Sequence, residues 1–310
     1  MKNRLNQSAL HRLLSILPAA MVLVALSGCG PSGDRGSGGE SGPGKTVVSV
    51  QGSDTMVNEA QAWAEAYAAV APEVSVEVGG GGSGVGIAAL IAGTIDIANA
   101  SRDMKDSERA KAKANTGRDA VEFVVGYDAL AVYVHRDNPL EEITLEQLAA
   151  IYAESGTTTK WADLGVTVPG CAGEILRVSR QSNSGTYEFF REHVLAKHDF
   201  KLGSTDLNGS KEVVEMVGNT PCAIGYSGMG YATDKVKMLR IALKAGEPAY
   251  VPSVDNALSK KYPIARPLYL YTLGQPEGAV KQYIDWILGP AGQKIVAESG
   301  YVPLPAKAAP

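Results

Sequence analysis

Short apolar runs and longer amphipathic stretches alternate along the first half of the chain. The short runs predict buried β-strands, and apolar positions at helical spacing predict helices between them. The strands predicted in this way are 47–50, 74–78 and 95–98, and the helices are 57–70, 85–92 and 106–114. This alternation predicts parallel strands with helices packed on both faces of the sheet.

A long apolar stretch at 121–134, interrupted by Gly126, leads into a second half with the same alternation. Its predicted helices are 145–152, 187–196 and 211–217, its strands 175–178 and 223–226, and a return strand at 266–273 precedes closing helices at 279–288 and 291–299. We therefore expect an α/β protein of two lobes. Lobe I is predicted to comprise 46–126 and 265–310, and lobe II 127–264, with chain crossings near 125–127 and 262–266.

Residues 1–28 have the pattern of a signal peptide. A basic start precedes an apolar run that is too short and too interrupted for a membrane span. The run ends in Leu-Ser-Gly-Cys at 26–29, which resembles the bacterial lipobox, whose cysteine is lipidated. We expect a lipid anchor on Cys29, a flexible Gly/Ser-rich linker over 29–45, and a location outside the cytoplasm. A simple secretory peptide with an incidental cysteine is the alternative.

Charge and cysteine content limit the function classes. The chain has 310 residues and a formal net charge of −4, and it has no evident basic face, which argues against nucleic-acid binding. Apart from Cys29, the cysteines are Cys171 and Cys222. An even pair in an oxidising compartment predicts a disulfide, with two small buried thiols as the alternative.

Three short segments rich in Gly, Ser and Thr lie where a strand or loop should pass into a helix: 52–56, 79–84 and 180–186. A helix start offers free backbone N–H groups, and small residues let an anion approach them closely. Arg180 adds a planar guanidinium suited to two oxygens of one anion. Because loops after parallel strands share one sheet edge, these segments predict a pocket that encloses a small tetrahedral oxyanion.

Each segment also has a simpler interpretation. Segment 79–84 fits the G-x-G-x-x-G dinucleotide fingerprint, with Asp103 at about the right distance, or an ordinary tight turn. Asp54 and Thr55 are also typical of a helix N-cap, and Arg180 of an ordinary surface arginine.

Catalysis has little support in the sequence. The histidines are not placed beside Ser83 or Ser184, the two serines that would serve as nucleophiles in a surface phosphohydrolase. The sequence contains no H-E-x-x-H segment and no Cys/His cluster with ligand spacing, so we expect neither a metal nor a cofactor.

Several segments taken together carry a family resemblance. They are G-S-D-T-M at 52–56, the Gly/Ser turn at 79–84, D-I-A-N-A-S-R-D at 96–103, R-Q-S-N-S-G-T at 180–186, G-Q-K-I-V at 292–296 and G-Y-V-P-L at 300–304. Over about 46–305 the chain resembles the PstS family, the phosphate-binding lipoproteins of bacterial phosphate ABC importers. The resemblance implies a two-lobe periplasmic-binding-protein fold of type II, with the ligand in the cleft between the lobes.

The resemblance also implies a set of phosphate ligands. They are Thr55, Met56, Ser83, Asp103, Arg180, Ser184, Gly185 and Thr186, with Ser53, Asp54, Ser101 and Arg102 as additional candidates. Asp103 is expected to select phosphate, because its carboxylate can accept the O–H of hydrogen phosphate. Sulfate has no such proton and would face an unpaired buried charge.

The function implied is that of an extracytoplasmic receptor that delivers inorganic phosphate to the membrane permease of an ABC importer. We expect a lipid-anchored monomer that is not an enzyme. Binding of another oxyanion, such as sulfate or molybdate, and a sensing role remain alternatives, and the phosphohydrolase is a weaker one.

Overall fold

The computed structural model describes residues 45–305. The predicted signal peptide, the lipidated Cys29 and nearly all of the predicted linker lie outside these residues, and they stay predictions. Within 45–305, no helix has both the length and the apolar character that crossing a membrane requires.

Strands and helices alternate through most of this range. The strands are β1 Thr46–Gly52, β2 Val74–Gly79, β3 Ile97–Ala100, β4 Ala120–His135, β5 Glu142–Thr144, β6 Leu176–Arg180, β7 Thr205–Leu207, β8 Ala223–Gly228, β9 Val236–Met238, β10 Arg240–Ala242 and β11 Ala265–Leu273. The helices are α1 Val57–Ala68, α2 Ser83–Ile91, α3 Asp106–Thr116, α4 Leu145–Tyr152, α5 Gly185–His193, α6 Ser210–Asn219, α7 Val254–Leu258, α8 Gly278–Leu288 and α9 Pro290–Glu298.

Most strands belong to one mixed sheet. Its order is β2-β1-β3-β11-β4-β8-β6-β7, with β9 also paired to β4. Strand β1 runs parallel to β2 and β3, and β6 runs parallel to β7 and β8, as the strand–helix alternation predicts. Strand β11 is antiparallel to β3 and β4, and β4 is antiparallel to β8. The α/β fold class is therefore confirmed, with antiparallel strands at the centre of the sheet.

Strand β4 is one continuous strand of 16 residues where the sequence shows two apolar stretches around Gly126. Its first part, up to Ala129, pairs with β11, and the part from Leu130 to Val134 pairs with β8. A side chain at Gly126 would meet Val296 of α9 at 3.0 Å, so the glycine allows this helix to pack directly on the strand. Pairing with both sides of the sheet supports the predicted chain crossing, while the exact lobe boundaries stay predictions.

The hydrophobic core consists of four clusters. Two of them draw mainly on residues before 126 and after 264, around α1, α8 and β3. The other two draw mainly on residues between 127 and 264, around α4, α5 and α6. Met229 packs against clusters of both pairs, and the division into two lobes stays a prediction.

Some element boundaries differ from the sequence-based expectation. Helices α2 and α5 begin at Ser83 and Gly185, because the Gly/Ser-rich segments themselves form the first helical turns. Helix α5 ends at His193 rather than at 196, since Ala196 and Lys197 adopt positive φ angles of 49° and 70°. The short elements β5, β7, β9, β10 and α7 have too few residues for a periodic pattern and were not predicted.

Cys171 and Cys222 are joined by a disulfide, with their Cα atoms 5.0 Å apart. The carbonyl of Cys222 accepts hydrogen bonds from Leu176 N–H (3.0 Å) and from the Trp161 indole (3.2 Å). The disulfide therefore ties the segment before β6 to the start of β8.

Candidate oxyanion-binding site

The loops after β1, β2 and β3 lie side by side. Gly82 N–H donates to Gly52 O at 2.9 Å, and Gly81 N–H donates to Asp54 Oδ1 at 2.9 Å. Ser101 N–H donates to Ser83 Oγ at 3.1 Å. The prediction that segments 52–56 and 79–84 share one edge of the sheet is confirmed, and the loop after β3 joins them there because its strand also runs parallel to β1.

The loop between β6 and α5 reaches across to the same place. Asn183 Nδ2 donates to Gly81 O at 2.9 Å, and Gly84 N–H donates to Asn183 O at 3.0 Å. The hydroxyls of Thr55 and Thr186 lie 2.9 Å apart. Residues separated by more than 100 positions in the sequence are thereby brought into one cluster, which joins all three predicted segments.

Glycines allow the loop between β6 and α5 to lie this close to the loops after β2 and β3. Gly82 has a φ of 96°, and a β-carbon there would lie 2.6 Å from Asn183 O. A β-carbon at Gly185 would lie 2.3 Å from Ser83 Oγ and 2.8 Å from Ser101 Oγ. The small residues therefore serve close contact between loops as well as helix starts.

Hydroxyl groups dominate the cluster. Its buried members, each at most 2 % exposed, are Ser53, Thr55, Ser83, Ser101, Ser184 and Thr186. They bond to one another, as in the Ser53 to Ser101 hydrogen bond of 2.9 Å. Ser184 is the N-cap of α5 and accepts from Thr186 N–H at 3.1 Å. Each hydroxyl can donate one proton, so the cluster offers many donors to a small ligand made of acceptor oxygens.

Two tyrosines hold the first loop in position. Tyr231 O–H donates to Asp54 O at 2.7 Å, and Tyr301 O–H donates to Thr55 O at 2.6 Å. Burial raises the pKa of Tyr301 well above its ordinary value, so this hydroxyl stays a donor at physiological pH. Met56 is fully buried, and its N–H, a predicted ligand, donates to Ser53 O at 3.0 Å.

Arg180 lies buried behind the first loop, with 1 % exposure. Its guanidinium donates to Asp54 Oδ2 at 3.3 Å, to Ser210 Oγ at 3.1 Å, and twice to Asn208 O at 3.1 Å and 2.6 Å. Burial lowers the pKa of Arg180, and Asp54 opposes that shift. Contacts with described residues thus use four of the five N–H groups of Arg180. The guanidinium that was predicted to bind the anion is therefore also paired with the buried carboxylate of Asp54.

Arg102 and Asp103 lie at the margin of the cluster. Arg102 forms a two-pronged ion pair with Glu108, with both distances 2.8 Å. Asp103 is exposed and accepts a hydrogen bond from the Tyr269 hydroxyl, whose pKa is raised by burial and by this bond. Among residues 45–305, no hydrogen bond links the Asp103 carboxylate to the buried hydroxyls. The Asp54 carboxylate is buried between two of the predicted segments, because its Oδ1 accepts from Gly81 N–H and its Oδ2 from Arg180.

Arg266 was not predicted as a site residue, although it is only 1 % exposed and contacts the hydroxyls directly. Its Nη2 donates to Thr186 Oγ1 at 3.0 Å and lies 3.4 Å from Thr55 Oγ1. It is paired with Asp128, which is fully buried. The sequence shows only that Arg266 begins the predicted return strand. Its position opposite Asp128 depends on the register of β11 on β4.

Comparison with known proteins agrees with this architecture. Residues 39–291 match the family model of the PBP superfamily domain. The phosphate-binding protein PstS of Pseudomonas aeruginosa is 35% identical over 272 residues, which are 84% of this chain and 84% of that protein. The chain belongs to the PstS family.

Solved structures of PstS-like proteins have the same fold. A substrate-binding protein assigned to a phosphate ABC transporter of Clostridium perfringens, solved with bound phosphate, is 30% identical with a TM-score of 0.74. The comparison covers 84% of this chain and 100% of that one. An ABC-type phosphate transport receptor from Vibrio cholerae is 27% identical, with a TM-score of 0.65 and coverage of 83% and 100%. The predicted periplasmic-binding-protein fold is therefore confirmed.

Within the part of the chain that the structure describes, no group of three or more His, Cys, Asp or Glu side chains is arranged to hold a metal ion. The donors that the site does offer are hydroxyls, backbone N–H groups and two guanidinium groups. This set suits an oxyanion rather than a cation.

Proposed function

We propose that this PstS-family protein is an extracytoplasmic receptor that binds inorganic phosphate and delivers it to the membrane permease of an ABC importer. The observation that carries the proposal is the cluster of six buried hydroxyls contributed by three loops and two helix starts. The family membership and the phosphate-bound relative from Clostridium perfringens support it.

The ligands in this proposal are those expected from the resemblance, apart from Asp103. The first group is Thr55, Met56, Ser83, Arg180, Ser184, Gly185 and Thr186, and Ser53 and Ser101 join it because their hydroxyls lie in the same hydrogen-bonded cluster. Helices α2 and α5 both begin at the cluster, so their N-terminal dipoles favour an anion there. Arg102 stays a weaker candidate because Glu108 occupies both of its terminal nitrogens.

A carboxylate beside an anion selects ligands that carry a proton. Asp54 has the better position for this role than Asp103, because it is 8 % exposed and contacts both Gly81 N–H and Arg180. Asp103 is exposed and bound to Tyr269. We therefore transfer the proton-accepting role, first expected for Asp103, to Asp54, with Arg180 balancing its charge.

Titration calorimetry with phosphate, arsenate, sulfate and molybdate tests the function. We expect micromolar or tighter binding of phosphate and arsenate, which carry a proton at neutral pH, and weak binding of sulfate and molybdate. Asp54→Asn should weaken phosphate binding by at least about tenfold, since a hydrogen bond to a charged group contributes about 1.5–3 kcal/mol. Asp54→Asn should also lower the ratio of phosphate affinity to sulfate affinity.

Asp103→Asn is the matched control, since it makes the same chemical change at the exposed carboxylate. A loss of phosphate selectivity in Asp103→Asn but not in Asp54→Asn would return the role to Asp103. Preferred binding of sulfate or molybdate by the wild-type protein would contradict the phosphate assignment. Turnover of a chromogenic phosphate ester would favour the phosphohydrolase alternative. Among the described residues, no histidine is hydrogen-bonded to Ser83 or Ser184, the two serines that would act as nucleophiles.

The proposed location is extracytoplasmic, in the periplasm or at the cell surface, with a lipid anchor on Cys29 after removal of residues 1–28 and a linker over 29–45. The sequence pattern at 26–29 supports this anchor. We expect a monomer that contacts its permease when the lobes close on phosphate. Metabolic labelling with a fatty-acid probe should mark the wild-type protein and not Cys29→Ala.

A further inference from the structure

Arg266 and Asp128 form a buried ion pair at the centre of the molecule. They lie opposite each other on β11 and β4, and they are 1 % and 0 % exposed. Asp128 Oδ2 accepts from Arg266 Nε at 3.1 Å and from Nη2 at 2.8 Å, while Asp128 Oδ1 accepts from Met229 N–H at 3.0 Å. The guanidinium is therefore fixed in one orientation.

The rest of the guanidinium faces the hydroxyl cluster. Nη1 donates to Ser101 O at 3.0 Å, Nη2 donates to Thr186 Oγ1 at 3.0 Å, and Thr55 Oγ1 lies 3.4 Å from Nη2. Arg266 thus contacts the loop after β3, the loop after β1 and the first turn of α5. The two threonine hydroxyls that it contacts lie only 2.9 Å apart.

A hydroxyl has one proton to donate and two lone pairs that accept. Two neighbouring hydroxyls can satisfy each other, and one of them then has no proton to give to a ligand. A guanidinium has donors and no acceptors. One Nη2 proton goes to Asp128 Oδ2, and the other is shared between lone pairs of the Thr186 and Thr55 hydroxyls. The protons of both hydroxyls are then free to point at an anion.

We propose that Arg266 is a positioning residue that sets the direction of the Thr55 and Thr186 hydroxyls, so that both donate to the bound oxyanion. This inference rests on the proposed function. The contribution is directional rather than one of net charge, because Asp128 neutralises the guanidinium locally. The fork of the guanidinium is essential, since a single ammonium cannot hold Asp128, Ser101 O and the hydroxyls at once.

The first test is Arg266→Lys, which keeps the charge and removes the fork. We expect the phosphate Kd to rise at least about tenfold, the effect of a lost charge-assisted hydrogen bond. The matched control is Arg240→Lys on β10, whose side chain pairs with exposed Glu142 at 3.2 Å. The control should bind phosphate as the wild type does.

A double-mutant cycle with Thr186→Val separates positioning from a merely structural role. Because Arg266 acts through two hydroxyls, Arg266→Lys should raise the phosphate Kd by a smaller factor in Thr186→Val than in the wild type, and by less than about twofold once Thr55→Val is added as well. Independent effects that multiply in the double variant would overturn the proposal. So would an unchanged Kd in Arg266→Lys.

Asp128→Asn gives a second test if Arg266→Lys does not fold. It keeps the shape of the side chain but loosens the hold on the guanidinium, so we expect phosphate binding to weaken several-fold in a protein whose ligand-free melting curve is still cooperative. An unchanged Kd in this variant overturns the inference. Failure of the wild-type protein to bind phosphate would instead overturn the proposed function.

Discussion

Glu59 on α1 is a buried acid that the proposed binding role does not use. It is 0 % exposed, and both carboxylate oxygens lack a hydrogen-bond partner among the described residues. Burial, and then repulsion by Asp128, raise the pKa of Glu59 well above its ordinary value. The folded protein therefore keeps this carboxyl protonated at pH values where the unfolded chain has lost the proton.

The sign of the resulting pH effect follows from proton binding. Between the ordinary pKa of about 4.3 and the raised value, the folded state binds more protons than the unfolded state, so stability falls as pH rises. Glu59→Gln should remove that slope and gain roughly 1–3 kcal/mol relative to wild type between pH 5 and pH 8. Urea denaturation across this pH range measures it.

Glu65→Gln is the control for this experiment, since Glu65 is an exposed acid on the same helix. Its stability should follow the wild-type pH profile. An identical pH slope in Glu59→Gln and wild type would mean that Glu59 is not protonated in the folded protein.

Elements that begin with Gly/Ser-rich turns were the most predictable part of the site. Helices α2 and α5 and the edge shared by the loops after β1 to β3 follow from residue type and strand order. The role of Arg266 could not be predicted, because its bond to Asp128 joins residues 138 positions apart and depends on strand register. The resemblance ranked Asp103 above Asp54, but the sequence could not predict that Asp54 is buried and Asp103 exposed, because exposure depends on how the loops pack.

The disulfide between Cys171 and Cys222 links two secondary-structure elements, because it joins the segment before β6 to the start of β8. It closes a loop with a sequence separation of 51 residues, for which the chain-entropy model gives about 4 kcal/mol. The double variant Cys171→Ser/Cys222→Ser should lose up to about that amount in urea denaturation. Its phosphate affinity should stay within about twofold, because the site lies at the opposite end of β6, at Arg180.

Wild-type protein treated with reductant serves as the comparison for the serine variant. The two should have the same stability, since both lack the covalent link. Equal stability of the oxidised wild type and the double variant would show that the link contributes nothing to folding.

At the scale of the whole molecule, Asn183 connects the two predicted lobes without belonging to the hydroxyl cluster. Asn183→Ala removes the bond from Nδ2 to Gly81 O but keeps the backbone bond from Gly84 N–H to Asn183 O. One neutral hydrogen bond contributes about 0.5–1.5 kcal/mol, so we expect phosphate and arsenate to bind about two- to tenfold more weakly. Calorimetry with both anions measures the change.

Ser182→Ala, at the exposed neighbouring position in the same loop, is the matched control and should bind as wild type does. If Asn183 only favours closure, the ratio of phosphate to arsenate affinity stays constant in Asn183→Ala. A changed ratio would assign Asn183 to direct ligand contact instead.

Strand β4 runs through the sheet on both sides of the chain crossing. Each predicted lobe therefore takes a central strand from its own part of this 16-residue strand, one from the part up to Ala129 and the other from Leu130 to Val134. A fragment that ends inside 120–135 leaves both halves without a full hydrogen-bonding partner. Circular permutants, split reporters and inserted sensor domains built on this scaffold have to place their breaks elsewhere.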